Sequence, residues 1–531
     1  MLKILAALLL VAAPLSVQAA PVPRQGMVCA NGPTFNLTAS SGYIETPDGN
    51  SVLMWSYGAP NFQSPGPVLC VNQGDTVTIN LHNALPDPVS IVLPGQSDVG
   101  GTGSAGLLAK EAAPGGDATY TFTASQPGTY VYESGTDPSK QVAMGLYGAL
   151  VVRPAGHPDY AYDLATRFSG EYLILLSDID PDLHHAVETG GTYDFDTLRN
   201  RYFAVNGRQF PDTIQDNGVS WLPNQPYGAL VRVKPYNATG NPLPVLIRMI
   251  NVGTLNHPYH PHGNHLRQIA QDGRKLAVST EHFAETIASG QTLDYLFSWT
   301  DQDSWSSGTN PFPPSVANPD YRNLTFVDGN TWYSGSAYLG AKGTLPTGTA
   351  SQNVCGEWYF PWHSHALNEF ANYDASFGGM ATLLRVDPPA GCSSVAGSAT
   401  ILAGTLRSGN AAALAAADSS YYQVNAAGTS TDWYGGFAAV PRGSANLVAT
   451  YTGHNSVSGL ATQLSYYRWS TSSWVALGAA TAIGTSDVTV TRSVPADAIS
   501  SQGQVRIRVQ TTGPAGFFTS ANLLKLTYDA P

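Results

Sequence analysis

Residues 67–93 read PVLCVNQGDTVTINLHNALPDPVSIVL. Apolar and polar residues alternate through this stretch, with turn signals at Gly74-Asp75 and Leu85-Pro86. A period of two with frequent Val, Ile and Thr predicts short strands joined by tight turns. GGDATYTFTASQPGTYVYES (115–134) and MGLYGALVVRP (144–154) continue the pattern. Short strands at regular spacing predict a β-sandwich over this part of the chain.

The same texture runs through all 531 residues, which is long enough for several domains. The chain holds 54 Gly and 37 Pro with only 12% charged residues, a poor mixture for long helices. A net charge of −12 argues against non-specific nucleic-acid binding, and no basic run is interleaved with aromatics. There is no GxSxG, HExxH, P-loop or GxGxxG after a strand.

The first residues, MLKILAALLLVAAPLSVQAA, have the charge, apolar core and small residues of a secretory leader. The expected cut lies near Ala19, and the apolar run is too short to span a bilayer. The mature chain is expected to be secreted, periplasmic or at the cell surface, with no membrane span. Export allows the four cysteines to oxidise. Three pairings are possible; Cys29–Cys70 and Cys355–Cys392 each stay within one expected domain.

Two motifs carry the chemistry. HPYHPHGNH (257–265) holds four of the twelve histidines, and WYFPWHSHALNEF (358–370) adds His363 and His365. Side chains alternate along a strand, so His260 and His262 share a face, as do His363 and His365; His257 is out of phase with His260. Two such pairs on neighbouring strands bring four imidazoles to one point. Imidazole suits copper and also zinc, iron and nickel. The alternative is a set of histidines without a metal, in Pro-rich loops or at the edge of a core.

GDTVTINLHNALPDPVSI, QPGTYVYES and GLYGALVVRP resemble the first cupredoxin domain of multicopper oxidases. RMINVG, which runs directly into the histidine motif, resembles the two-domain members of that family. The resemblance covers roughly residues 33–388. It implies an all-β fold of two cupredoxin-like Greek-key β-sandwich domains, to which the chain adds a C-terminal β-sandwich. The expected layout is a leader over 1–19, domains over 20–155 and 156–392, and the added sandwich over 393–531. Between the motifs, residues 301–355 are expected to form a long loop. In the C-terminal part, Tyr421, Tyr422, Trp433 and Tyr434 fit core packing better than sugar binding.

The resemblance also implies a ligand set, from which this chain departs. First-domain ligand positions of the copper cluster fall on Val92, Leu93, Pro94 and Gly95, and on Glu133, Ser134 and Gly135, where only Glu133 can bind a metal. The second-domain cluster ligands are kept as His260, His262, His363 and His365. Of the type 1 copper ligands, His257 is kept and Met380 corresponds to the axial methionine. The cysteine position is Ser364 and the second histidine position is Glu369.

The reading is therefore a protein that binds copper, or else zinc, through His260, His262, His363 and His365. His257, His265, Glu133, Glu369 and Met380 are further candidates, with Glu357 and Asp374 as outer partners. Binding is expected to weaken below about pH 6, where ordinary histidines protonate. Two other functions stand beside it: an oxidoreductase acting on phenols or metal ions at an altered mononuclear site, and a structural protein of the cell exterior. The family's two-domain layout implies a homotrimer or another homo-oligomer.

Overall fold

The computed structural model describes residues 25–299, 358–373, 378–387, 392–438 and 440–529, together with the strands Leu324–Asp328, Thr331–Ser334 and Ala350–Gln352. The leader lies outside the described residues.

The chain is all-β. The alternation at residues 67–93 becomes Val68–Asn72, Thr76–Asn83 and the short Val89–Ser90. Val77, Ile79 and Leu81 point inward from the middle strand, while Thr76, Thr78, Asn80 and His82 point away. One sheet is ordered Cys29–Asn31, Val68–Asn72, Tyr147–Arg153, Gly128–Glu133. The facing sheet has five strands, with Thr34–Glu45 parallel to Thr76–Asn83 at its centre. Phe35, Trp55, Tyr120 and Tyr132 help fill the space between them. The expected Cys29–Cys70 disulfide joins two parallel strands of the first sheet. Cys392 is also disulfide-bonded, and Cys355 lies outside the described residues.

A second sandwich follows. Its six-stranded sheet includes Gly170–Ile179, Val245–Asn251 and Thr292–Phe297; its five-stranded sheet is ordered Val231–Val233, Ala381–Val386, Trp358–Ser364, His257–Pro261, Glu285–Ile287. Both histidine motifs thus lie in one sheet. Within the expected long loop of residues 301–355, three strands pair into a small sheet of their own, a correction to the sequence reading. Period-two patterning is faint there among Asn, Gly and Ser.

The two sandwiches share an apolar seam. Val68, Val131, Ala149 and Val151 pack against Leu173, Leu175 and Ile250. Arg248 is fully buried beside this seam, 2.7 Å from Glu171 and 3.6 Å from Asp294. It also donates to Thr129 of the first sandwich. A buried cation needs such partners, because removing a charge from water costs several kcal/mol, of the order of the attraction it gains.

Residues 392–529 form a third sandwich of two further sheets around Trp433, Tyr451, Tyr466 and Ile507. Trp433 and Tyr422 are buried in this core, as the sequence reading favoured, whereas Tyr421 and Tyr434 are only partly buried and lie outside it.

Candidate metal centre

The His257–Pro261 strand pairs antiparallel with Trp358–Ser364, and the register sets His260 opposite His363. Tyr259 and Trp362, both fully buried, anchor the two strands from below. The histidine rings therefore emerge from fixed backbone. His262 lies in the turn after the strand, so the turn, not alternation, brings it to the others.

The four rings gather. His260 is 4.9 Å from His262, 5.8 Å from His363 and 5.3 Å from His365, centroid to centroid. His262 is 4.9 Å from His363, and their Nε2 atoms stand 2.8 Å apart. The outer nitrogens are held by backbone: His260 Nδ1 donates to the Phe283 carbonyl and His363 Nδ1 to that of Ser364. Those bonds fix the tautomers and leave Nε2 of both rings as the metal-facing atom.

Burial, then the neighbouring imidazoles, pushes the His262 pKa down to about 4. Burial also lowers His363, helped by His260 and His365 and opposed by its bond to Ser364. Both are neutral near pH 7, as coordination requires. This moves the expected acid sensitivity of these two rings below that of ordinary histidines. Among the described residues, no group of three or more His, Cys, Asp or Glu is arranged around one point as a bound ion would hold it. The Nε2 pair of His262 and His363, with two more imidazoles beside it, is nonetheless a donor set that suits copper.

The other candidates separate into distinct places. His265 is exposed and touches Phe283, not the four rings. Glu133 sits at the end of its strand in the first sandwich, bridged to Val92, and burial raises its pKa. Glu357 and Asp374 lie outside the described residues.

His257, Ser364, Glu369 and Met380 form a second, buried locus on the other face of the His257–Pro261 strand. Glu369, a further metal candidate in the sequence, instead accepts from His257 Nδ1 at 2.8 Å. Ser364 Oγ donates to the same carboxylate oxygen in a very short bond. Met380 is buried and joins through its main chain, which pairs with those of Ser364 and Glu369.

Sequence reasoning missed Asp178, whose Oδ2 stands 3.3 Å from His257 Nε2, within ion-pair reach but short of hydrogen-bond geometry. Its other bonds come from Thr254 and Leu255. The only sequence signal for it was a carboxylate at the end of the apolar run EYLILLSD. Gly253 leaves room for the contact, since a Cβ there would lie 2.5 Å from Asp178 Oδ2 and 3.0 Å from His257 Nε2.

Burial by itself lowers the His257 pKa, but Asp178 and Glu369 outweigh it and hold the ring up to about 9. His257 is thus an imidazolium at neutral pH, with both nitrogens protonated and no lone pair for a metal. With Ser364 in place of a thiolate, this locus does not fit a type 1 copper.

Comparison with known proteins finds partial matches to multicopper oxidases. The family model described as multicopper oxidase matches residues 42–157. The copper resistance protein A of Escherichia coli is 31% identical over 164 residues, which cover 29% of this chain and 25% of that protein. An iron transport multicopper oxidase of Gibberella zeae is 27% identical over 283 residues, covering 52% of this chain and 40% of the relative. The chain thus matches well under half of each relative's length. The solved blue copper oxidase of Nitrosomonas europaea is 21% identical, with 66% of this chain and 85% of that one covered at a TM-score of 0.46. Residues 42–157 thus match the multicopper oxidase family model, the family that the sequence motifs resemble.

Proposed function

We propose that this protein is exported and binds copper through His260, His262, His363 and His365, without a type 1 centre. The observation that carries the reading is the pair of Nε2 atoms 2.8 Å apart, flanked by the His260 and His365 rings. Copper there supplies a redox-active Lewis acid; the protein's part is to hold neutral imidazoles on two paired strands. Relatives described as a copper resistance protein and a multicopper oxidase support copper over zinc.

Two features support assembly with further copies of the chain. Glu133 is a partly buried carboxylate with no hydrogen-bond or ion-pair partner among the described residues. Leu107 and Leu108 are exposed, and Leu108 lies near Val92. On the histidine side Phe283 and Leu367 are exposed as well. Contact between such apolar patches removes both from water. The proposed assembly is a homotrimer in which Glu133 of one copy faces the histidines of the next. Light scattering that finds only monomer at micromolar concentration defeats the assembly.

Calorimetric titration of metal-stripped protein with copper tests the site. One ion per chain is expected, and the His363→Ala, His365→Ala double variant is expected to lose binding by at least about a hundredfold, roughly 3 kcal/mol. The fold should survive, because the core is built from other side chains. Equal affinity in the double variant defeats the proposal.

A further inference from the structure

The third sandwich carries a sheet face that neither its core nor the histidine motifs use. In Ser430–Phe437, Leu460–Arg468 and Val505–Thr512, alternate residues such as Trp433, Leu464 and Ile507 enter the core. The residues between them face outward. The register sets Tyr434 beside Arg508 and Tyr467 beside Trp474, so four strands contribute to one surface.

Aromatic rings form a connected set on it. Trp474 is 5.5 Å from Tyr434 and 5.1 Å from Tyr467, and Tyr467 is 5.0 Å from Trp469. The rings are tilted or edge-on to one another and only partly buried. The Arg506 guanidinium lies among them, 4.7 Å from the Trp469 ring centre and 5.3 Å from those of Tyr434 and Tyr467.

The two arginines of this face differ in one respect. Arg508 is engaged by Asp432, which accepts from both Nε and Nη2. Arg506 has neither a carboxylate nor any hydrogen-bond acceptor among the described residues. The Tyr434 and Tyr467 hydroxyls and the Trp474 indole N–H also form no hydrogen bond there, although Tyr466 and Trp469 alongside do. The face thus combines apolar rings, unengaged donors at their edges and one unpaired cation.

Those three properties select a ligand class. An aromatic face takes the C–H side of a pyranose ring, and its polar edge meets hydroxyls. A guanidinium is a planar fork that matches a carboxylate in a way a lysine does not. The chain carries a net charge of −12, so a general pull on polyanions is absent and Arg506 must act locally. The geometry points to a binding platform for a uronic-acid polysaccharide, with Tyr434, Tyr467 and Trp474 under the sugar rings and Arg506 on a carboxylate. The platform is independent of the histidine cluster.

Affinity electrophoresis of the full chain through gels holding polygalacturonate, a sulfated galactan or uncharged xylan tests this. Retardation by polygalacturonate alone is expected. Arg506→Gln and Trp474→Ala are each expected to weaken it by about tenfold, while Tyr422→Phe, at a buried core ring, leaves it unchanged. Circular dichroism checks that each variant is folded. Should Trp474→Ala unfold the sandwich, Arg506→Gln decides, since that side chain is partly exposed and unpaired. Equal retardation by xylan or by the sulfated galactan overturns the proposal, as does unaltered binding by Arg506→Gln or no binding to polygalacturonate.

Discussion

Two histidines five residues apart, one on a strand and one just past its end, take opposite protonation states. His257 faces inward, meets two carboxylates and is held protonated up to about 9. His262, one residue past the same strand's end, meets other imidazoles and is held neutral down to about 4. Burial works against the charge on both; only the neighbours differ. A position that the resemblance aligns with a copper ligand can therefore hold an imidazolium instead, when two carboxylates stand beside it. The buried cation at that locus is now a proton on His257.

The largest test of this contrast is His257→Gln. It leaves Asp178 and Glu369 buried with no cation between them. Breaking a buried pair in this way costs about 3–5 kcal/mol. His262→Gln, in the turn past the strand and away from the core, is expected to cost about 0.5 kcal/mol or less. Urea unfolding at pH 7 measures both, and equal losses erase the distinction between the two loci.

The pH dependence comes next. The folded pKa of His257 lies above the ordinary value, so its stabilisation is complete below about pH 6.5 and is lost as pH rises through about 9. The difference amounts to roughly 3 kcal/mol. The native protein is expected to weaken between pH 7 and 10 by that much more than His257→Gln does. His262 behaves in the opposite sense. Its folded pKa is depressed, so its contribution is present above about pH 6.5 and is lost as pH falls towards 4. Unfolding free energies at pH 5, 7 and 10 separate the two limbs; parallel curves for native protein and His257→Gln defeat the assignment.

Glu369→Gln should cost less, about 1–2 kcal/mol. It removes one of two carboxylates around a single cation and leaves Asp178 opposite His257 as a balanced pair. Gln still accepts from Ser364 and His257. A loss as large as that of His257→Gln shows that Glu369, not the cation, governs the locus.

The sequence carried much of this arrangement and hid a specific part. Alternation in residues 67–93 was enough for the first sandwich, since a strand with one wet face cannot slip by a residue without exposing its core side. Alternation also placed His257 away from His260 correctly. It could not place His262, which lies in a turn. Nor could it pair His257 with Asp178, which arrives from a strand of the other sheet, 79 positions earlier by numbering. Glu369 was visible as a replacement for a histidine, yet its bond to His257 depends on the short helical turn Leu367–Phe370 folding back over the strand. Contacts that cross between sheets leave no period in a sequence.

The smallest expected effect is none at all, and it is the sharpest test. Ser364→Cys restores the residue type that a type 1 site needs at that position. If the missing thiolate alone kept a type 1 site from forming there, copper-loaded Ser364→Cys would turn intensely blue. The structure predicts that the intense blue band stays absent. His257 remains protonated between Asp178 and Glu369, so it offers no lone pair. A new thiol beside the buried Glu369 carboxylate is itself disfavoured as a thiolate, because like charges repel and the locus is dry. Adding Glu369→His removes one of the carboxylates that hold His257 protonated and supplies the second imidazole. The intense thiolate-to-copper band is therefore expected only in the double variant, read by visible absorption after copper loading at pH 7. A blue single variant shows that the thiolate alone decides the site, and that the carboxylates around His257 are not what excludes copper.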